Sequence, residues 1–99
     1  MDEWSVFANY VKDGKMLVGK LFFDLTGFCF KADSVTGAIN MGHIKYEQVL
    51  QVEYAKTFGF IPNGVMVVLA DGAELRFTSI KRKKIKGFLE SKMTINREA

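Results

Sequence analysis

Cysteine is nearly missing from this chain: Cys29 is the only one in 99 residues. No intramolecular disulfide can form, and the paired spacing by which small secreted domains compensate for thin cores is absent, so a reducing compartment fits. Proline is equally scarce, with Pro62 alone. With 99 residues the chain is far below what two domains would need, and no repeat, low-complexity stretch or linker interrupts residues 4 to 93, so one domain over 1–99 is predicted, its core about 4–93 and 94–99 a tail. Histidine is also single, and His43 has no cluster of Cys, Asp or a second His around it. It is read as an ordinary strand-end residue, with no metal and no other cofactor expected. No window approaches the ~18 apolar residues of a spanning helix, and the acidic start Met1-Asp2-Glu3-Trp4 lacks the basic and apolar regions of a secretory leader. A soluble, cytoplasmic protein is predicted, at most peripheral to a membrane. Gly-x-Ser-x-Gly, His-Glu-x-x-His, Walker and dinucleotide patterns are all missing, and carboxylates such as Glu47 and Glu53 are scattered, so the chain is not expected to be an enzyme.

What the chain does have is large apolar side chains. Apolar residues make up 48% and nine Phe are present, enough to close one core without metals or disulfides. The dominant period is two. Leu17, Gly19, Leu21 and Phe23 share one face of an extended segment over Met16 to Asp24, and Leu25-Thr26-Gly27 connects it to a strand carrying Phe28 and Phe30 on one face. Cys29, between them, reads as a small packed or partly packed residue rather than a nucleophile. Asp33 to Gly37 is predicted to turn and Ala38 to His43 to form a strand. Ile44 to Val49 reads as a short helical turn or corner, and Leu50 to Lys56 as a half-buried strand with Val52 and Tyr54 alternating with Gln51 and Glu53.

Pro62-Asn63-Gly64 is predicted as a turn, with Asn and Gly tolerating the left-handed region. Val65 to Ala70 and Ala73 to Thr78 then form a hairpin across Asp71-Gly72, a pair suited to a type I′ turn. Leu75 and Phe77 point to the core, while Glu74, Arg76 and Thr78 point to water. From Lys81 the period becomes helical, with Ile85, Phe88, Leu89, Lys92 and Met93 on one stripe and Ser79 or Thr78 placed to cap it. Gly87 weakens this helix by about 1 kcal/mol relative to Ala. The predicted fold is mainly β: a partly open antiparallel barrel of about six or seven strands, capped by one amphipathic C-terminal helix. A β-sandwich with a helical appendage is the competing architecture.

Ala8-Asn9-Tyr10, Val18-Gly19-Lys20-Leu21-Phe22 and Phe28 to Lys31 resemble the opening of GRAM domains, a branch of the pleckstrin-homology-like superfold. Gly59-Phe60-Ile61-Pro62-Asn63-Gly64-Val65 is similar to that family's Pro-Asn-Gly segment, and a DG turn, the aromatic Phe77 and a basic helix start follow in the same order. The resemblance spans roughly residues 8 to 90. It departs at Thr26-Gly27, where the family's basic residue is absent, and at Val18, which replaces one glycine of a pair. It implies a PH-like barrel and recognition of phosphoinositide or phosphatidylserine headgroups, or protein contact, at membranes.

Overall net charge is +3, but residues 81 to 92 place six cations against Glu90 alone, a local +5, which leaves −2 for the rest. Cations at a helix N-terminus oppose the macrodipole by about 0.3–1 kcal/mol each. Lys81, Arg82, Lys83 and Lys84, with the Ser79 hydroxyl and first-turn N–H groups, therefore form a candidate anion or lipid-headgroup site. The simpler account is a solvated polar face. Lys12 and Lys15, flanking Asp13-Gly14, are a weaker candidate already explained by turn chemistry. Phe58, Phe60 and Ile61 form a candidate membrane or partner loop, unless they fold back to close the core. The expected function is a non-catalytic binding module for an anionic phospholipid or an acidic protein segment. The alternative is protein interaction or homo-oligomerisation by strand pairing. Nucleic acid ranks last, because the charge lacks interleaved aromatics.

Overall fold

The computed structural model describes residues 3–33, 42–57, 59 and 61–98, with side chains as far as Met93. The strands are β1 (Trp4–Lys12), β2 (Lys15–Phe23), β3 (Gly27–Ala32), β4 (Ile44–Lys45), β5 (Val49–Thr57), β6 (Ile61–Leu69) and β7 (Glu74–Thr78). A short 3-10 turn, Tyr46–Gln48, separates β4 from β5, and the helix α1 runs Arg82–Glu98. All seven strands form one antiparallel sheet in the order β4-β3-β2-β1-β7-β6-β5. The fold is thus mainly β with a C-terminal helix, and one continuous sheet replaces the two separate sheets of a sandwich.

That sheet is folded over on itself. Phe30 on β3 and Phe77 on β7 stand three strand spacings apart in the order, about 14 Å in a flat sheet, yet their ring centroids are 6.1 Å apart. Tyr10 lies between them, 5.6 Å from Phe30 and 5.3 Å from Phe77. The helix stoppers the curl: Ile85, Leu89 and Met93 are buried, while Phe88 meets Trp4, Phe23 and Tyr46 edge-on. The helix continues through the segment expected to be a tail, because each added residue extends an established hydrogen-bonded turn.

Several local expectations are corrected. Pro62-Asn63-Gly64 is not a turn but part of β6. The β5–β6 ladder passes from Ala55↔Gly64 to Thr57↔Ile61, so Pro62 and Asn63 sit in a register break, where a missing N–H is harmless. Gly64 has no left-handed φ. It is required because a Cβ there would lie 2.9 Å from the Ala55 carbonyl oxygen. Asp71-Gly72 is not a two-residue I′ turn. The Leu69 carbonyl accepts the Gly72 N–H at 2.9 Å, only Gly72 has positive φ, and the ladder resumes at Ala73, which makes a three-residue loop. The two-residue geometry with positive φ at both centres belongs instead to Asp13-Gly14.

Thr78, expected in water, is buried between Asn9 of β1 and Gly64 of β6, and Asn9 Nδ2 donates to its hydroxyl at 3.1 Å. Tyr54 pairs with the core residue Val65 but stays half exposed, because it lies where the basic side of the helix, not its apolar stripe, covers the sheet. The strand expected at Ala38 to His43 and its preceding turn lie almost wholly outside the described residues. His43 precedes the short β4, and its Nε2 lies 3.2 Å from the Asp24 carboxylate.

Candidate functional site

The passage from β7 into the helix is pinned by one hydroxyl. Ser79 Oγ donates to the Phe7 carbonyl at 2.9 Å and accepts the Lys81 N–H at 3.1 Å, and the Ser79 carbonyl accepts the Arg82 N–H at 3.3 Å. Ser79 is therefore a capping residue, buried and fully engaged. With Ser79 turned inward and the apolar stripe beginning only at Ile85, the intervening Ile80 is thrown outward, 96% exposed.

The cations of the helix have different fates. The Arg82 guanidinium lies over the Tyr54 ring at 4.5 Å and points at the Ala55 and Gly64 carbonyls at 3.5 and 3.4 Å. Lys84 sits over Trp4 at 4.6 Å. Lys86 pairs with Glu90 at 2.8 Å beside Tyr54, and Lys92 lies over Phe88 and Tyr46. Lys81 and Lys83 are exposed, and among the described residues their ammonium groups have no partner. No acidic residue occupies the first helical turn. Of the predicted anion set, Lys81 and Lys83 are thus presented freely, Lys84 shares its charge with an aromatic face, and Arg82 and Ser79 are committed to holding the helix on the sheet.

These residues line an open groove of about 530 Å³ together with Pro62, Asn63 and Ile80. At Asn63, Ser79 and Ile80 it merges with a second groove of about 280 Å³ that runs beneath Phe7 and Asn9 on β1. Lys12 and Lys15 face each other at the far end of the β1–β2 hairpin. Lys12 is five residues along β1 from Phe7, about 17 Å at strand rise, so the two basic groups do not form one headgroup-sized site. Ile61 is half-buried at the start of β6, and Phe58 and Phe60 lie outside the described residues. Cys29 is partly buried opposite Phe22. Among the described residues, no group of three or more His, Cys, Asp or Glu could hold a metal ion.

The outward row of β1 and β2 was not anticipated. Phe7 is 69% and Val18 60% exposed, and Lys20, paired with Phe7 across the ladder, holds its ammonium 4.6 Å from that ring. The signal lay in the alternation Trp4, Val6, Ala8, Tyr10 inward, which leaves Phe7 on the opposite face.

No family model and no curated protein matches the chain. Among solved structures, it is similar to the C-terminal domain of an unknown protein from Leishmania infantum, with a TM-score of 0.78 and 17% identity over 95% of this chain and 84% of that one. At that identity the likeness shows the fold alone.

Proposed function

We propose that the chain is a non-catalytic, GRAM-like binding module that recognises an anionic phospholipid surface through the start of its helix. The observation that carries this reading is the contrast within one short segment: Arg82, Lys84, Lys86 and Lys92 are tied to rings, carbonyls or a carboxylate, whereas Lys81 and Lys83, beside an open groove, meet no counter-charge among the described residues. Their repulsion from the helix dipole is relieved by an anion at the same place.

Co-sedimentation with vesicles of phosphatidylcholine, with and without phosphatidylserine, tests it. Wild type is expected to pellet only with the anionic vesicles and to be released as salt rises. At about 1 kcal/mol per lysine near the surface, Lys81→Gln with Lys83→Gln weakens binding roughly thirtyfold. Indifference of wild type to phosphatidylserine refutes the reading. Strand pairing has weaker support, since the long edge strand β5 is broken in register at both ends and carries Glu53 and Lys56, devices that blunt an edge.

A further inference from the structure

We infer that the outward face of β1 and β2 around Phe7, continued by Ile80, seats in the apolar boundary of an anionic leaflet, with Lys20, Lys81 and Lys83 at its rim. This rests on the proposed lipid recognition and adds to it an apolar contact and an orientation. A sheet face in water is ordinarily polar, and apolar residues on both sides of a strand mark strands covered on both faces. β1 and β2 bury Ala8, Tyr10, Leu21 and Phe23 on one side and present Phe7 and Val18 on the other.

The exposed residues are contiguous. Phe7 stands opposite Lys20, Val18 opposite Asn9, and the β1–β7 ladder running Asn9↔Thr78 brings Ile80 beside Phe7, where both line the same groove. The outward positions of β1 and β2 carry no carboxylate.

Charge and hydrogen bonding select the occupant. A second copy docked face to face would gather Lys20, Lys81 and Lys83 of both copies around one drying interface, with no carboxylate on the outward positions of β1 and β2 to pair them. An extended peptide adds to free backbone donors and acceptors at a sheet edge, but β1 is laddered to β2 along its whole length and to β7 at Asn9–Val11, the Phe7 carbonyl is taken by the Ser79 hydroxyl, and β2 is laddered to β3 at Gly19–Phe23. A leaflet requires neither a groove nor an edge, only protruding apolar side chains ringed by cations.

The test places an environment-sensitive fluorophore on Ile80→Cys in a Cys29→Ser background of the full chain, with phosphatidylcholine/phosphatidylserine vesicles. Pelleting accompanied by a blue shift of emission, quenching by acyl-chain nitroxide, and a roughly tenfold loss of residual high-salt binding in unlabelled Phe7→Ser supports the inference. Phe7 is exposed, so circular dichroism of Phe7→Ser should match wild type. Pelleting without blue shift, and with Phe7→Ser binding as wild type, overturns the inference and leaves recognition by Lys81 and Lys83 standing. Absence of wild-type pelleting overturns both. A lipid-free dimer abolished by Phe7→Ser also overturns it, because the face then belongs to a second copy.

Discussion

Arg82 lies over the ring of Tyr54, its guanidinium carbon 4.5 Å from the centroid, while one of its nitrogens points at the carbonyls of Ala55 and Gly64. The first turn of the helix is thereby fastened to the β5–β6 register break, at a place where the apolar stripe has not yet begun. A planar, delocalised cation suits this site and a lysine does not. A double-mutant cycle on Arg82→Ala and Tyr54→Ala, followed by chemical denaturation, is expected to give a coupling of about 0.5–1 kcal/mol. Arg82→Lys should recover little of it, and additivity of the two single changes would show the stacking to be without consequence.

Burial works to raise the pKa of the Asp24 carboxyl, but the Thr26 and Gly27 N–H groups, the His43 ring and the Thr26 hydroxyl outweigh it and hold the value at about 2, below the ordinary 3.8. The folded value lies under the unfolded one, so the stabilisation is complete above the unfolded value and disappears as pH falls toward 2. Asp24→Asn should therefore be less stable than wild type at neutral pH, with the gap narrowing in acid. Carbon-detected NMR titration of Asp24 checks the premise, and a midpoint near 4 would contradict it. His43→Ala is expected to move that midpoint upward.

Two glycines should respond to alanine with opposite signs. A Cβ on Gly19 would fall 2.2 Å from the Lys31 carbonyl oxygen and 2.7 Å from the Phe30 ring, so Gly19→Ala must displace β3 and lose about 1–3 kcal/mol. Gly87 is exposed within the helix with nothing within 4 Å of its added Cβ, and Gly87→Ala should gain about 0.5–1 kcal/mol. Thermal and urea unfolding of the two variants decide the matter together.

Ile85 is completely buried where the helix closes the curled sheet. Ile85→Ala is expected to lose about 2–5 kcal/mol, and its near-ultraviolet circular dichroism should report loosened packing around Phe88 and Trp4. A loss well below 1 kcal/mol would mean that the helix does not stopper the core.

The parts of the fold that depend on local period were legible. Phe28 with Phe30, Leu75 with Phe77, and Ile85 with Leu89 and Met93 all point inward as alternation or helical spacing requires. The features that escaped depend on partners far along the chain. Pro62-Asn63-Gly64 has the composition of a turn, and only the register of β5 against β6 makes it a strand. The two Asp-Gly pairs are identical in sequence, and their loops differ because the flanking ladders end at different offsets. At the candidate site, the clustering of cations was visible in the sequence. Which of them are spent was not, because Tyr54 and Trp4, the rings that engage Arg82 and Lys84, come from β5 and β1. The exposure of Ile80 likewise follows from a hydrogen bond between Ser79 and Phe7, 72 positions apart.

The central place of β1 in the strand order governs how the fold can be reached. Its second ladder, Asn9 to Val11 against Arg76 to Thr78, closes a loop of more than sixty residues, an entropic barrier that is crossed before the contacts reward it. The hairpins can form early, but the shell shuts only when residues near 78 return to those near 9, so refolding should be slow for so short a chain and an intermediate lacking that closure would expose the paired faces of Tyr10, Phe30 and Phe77.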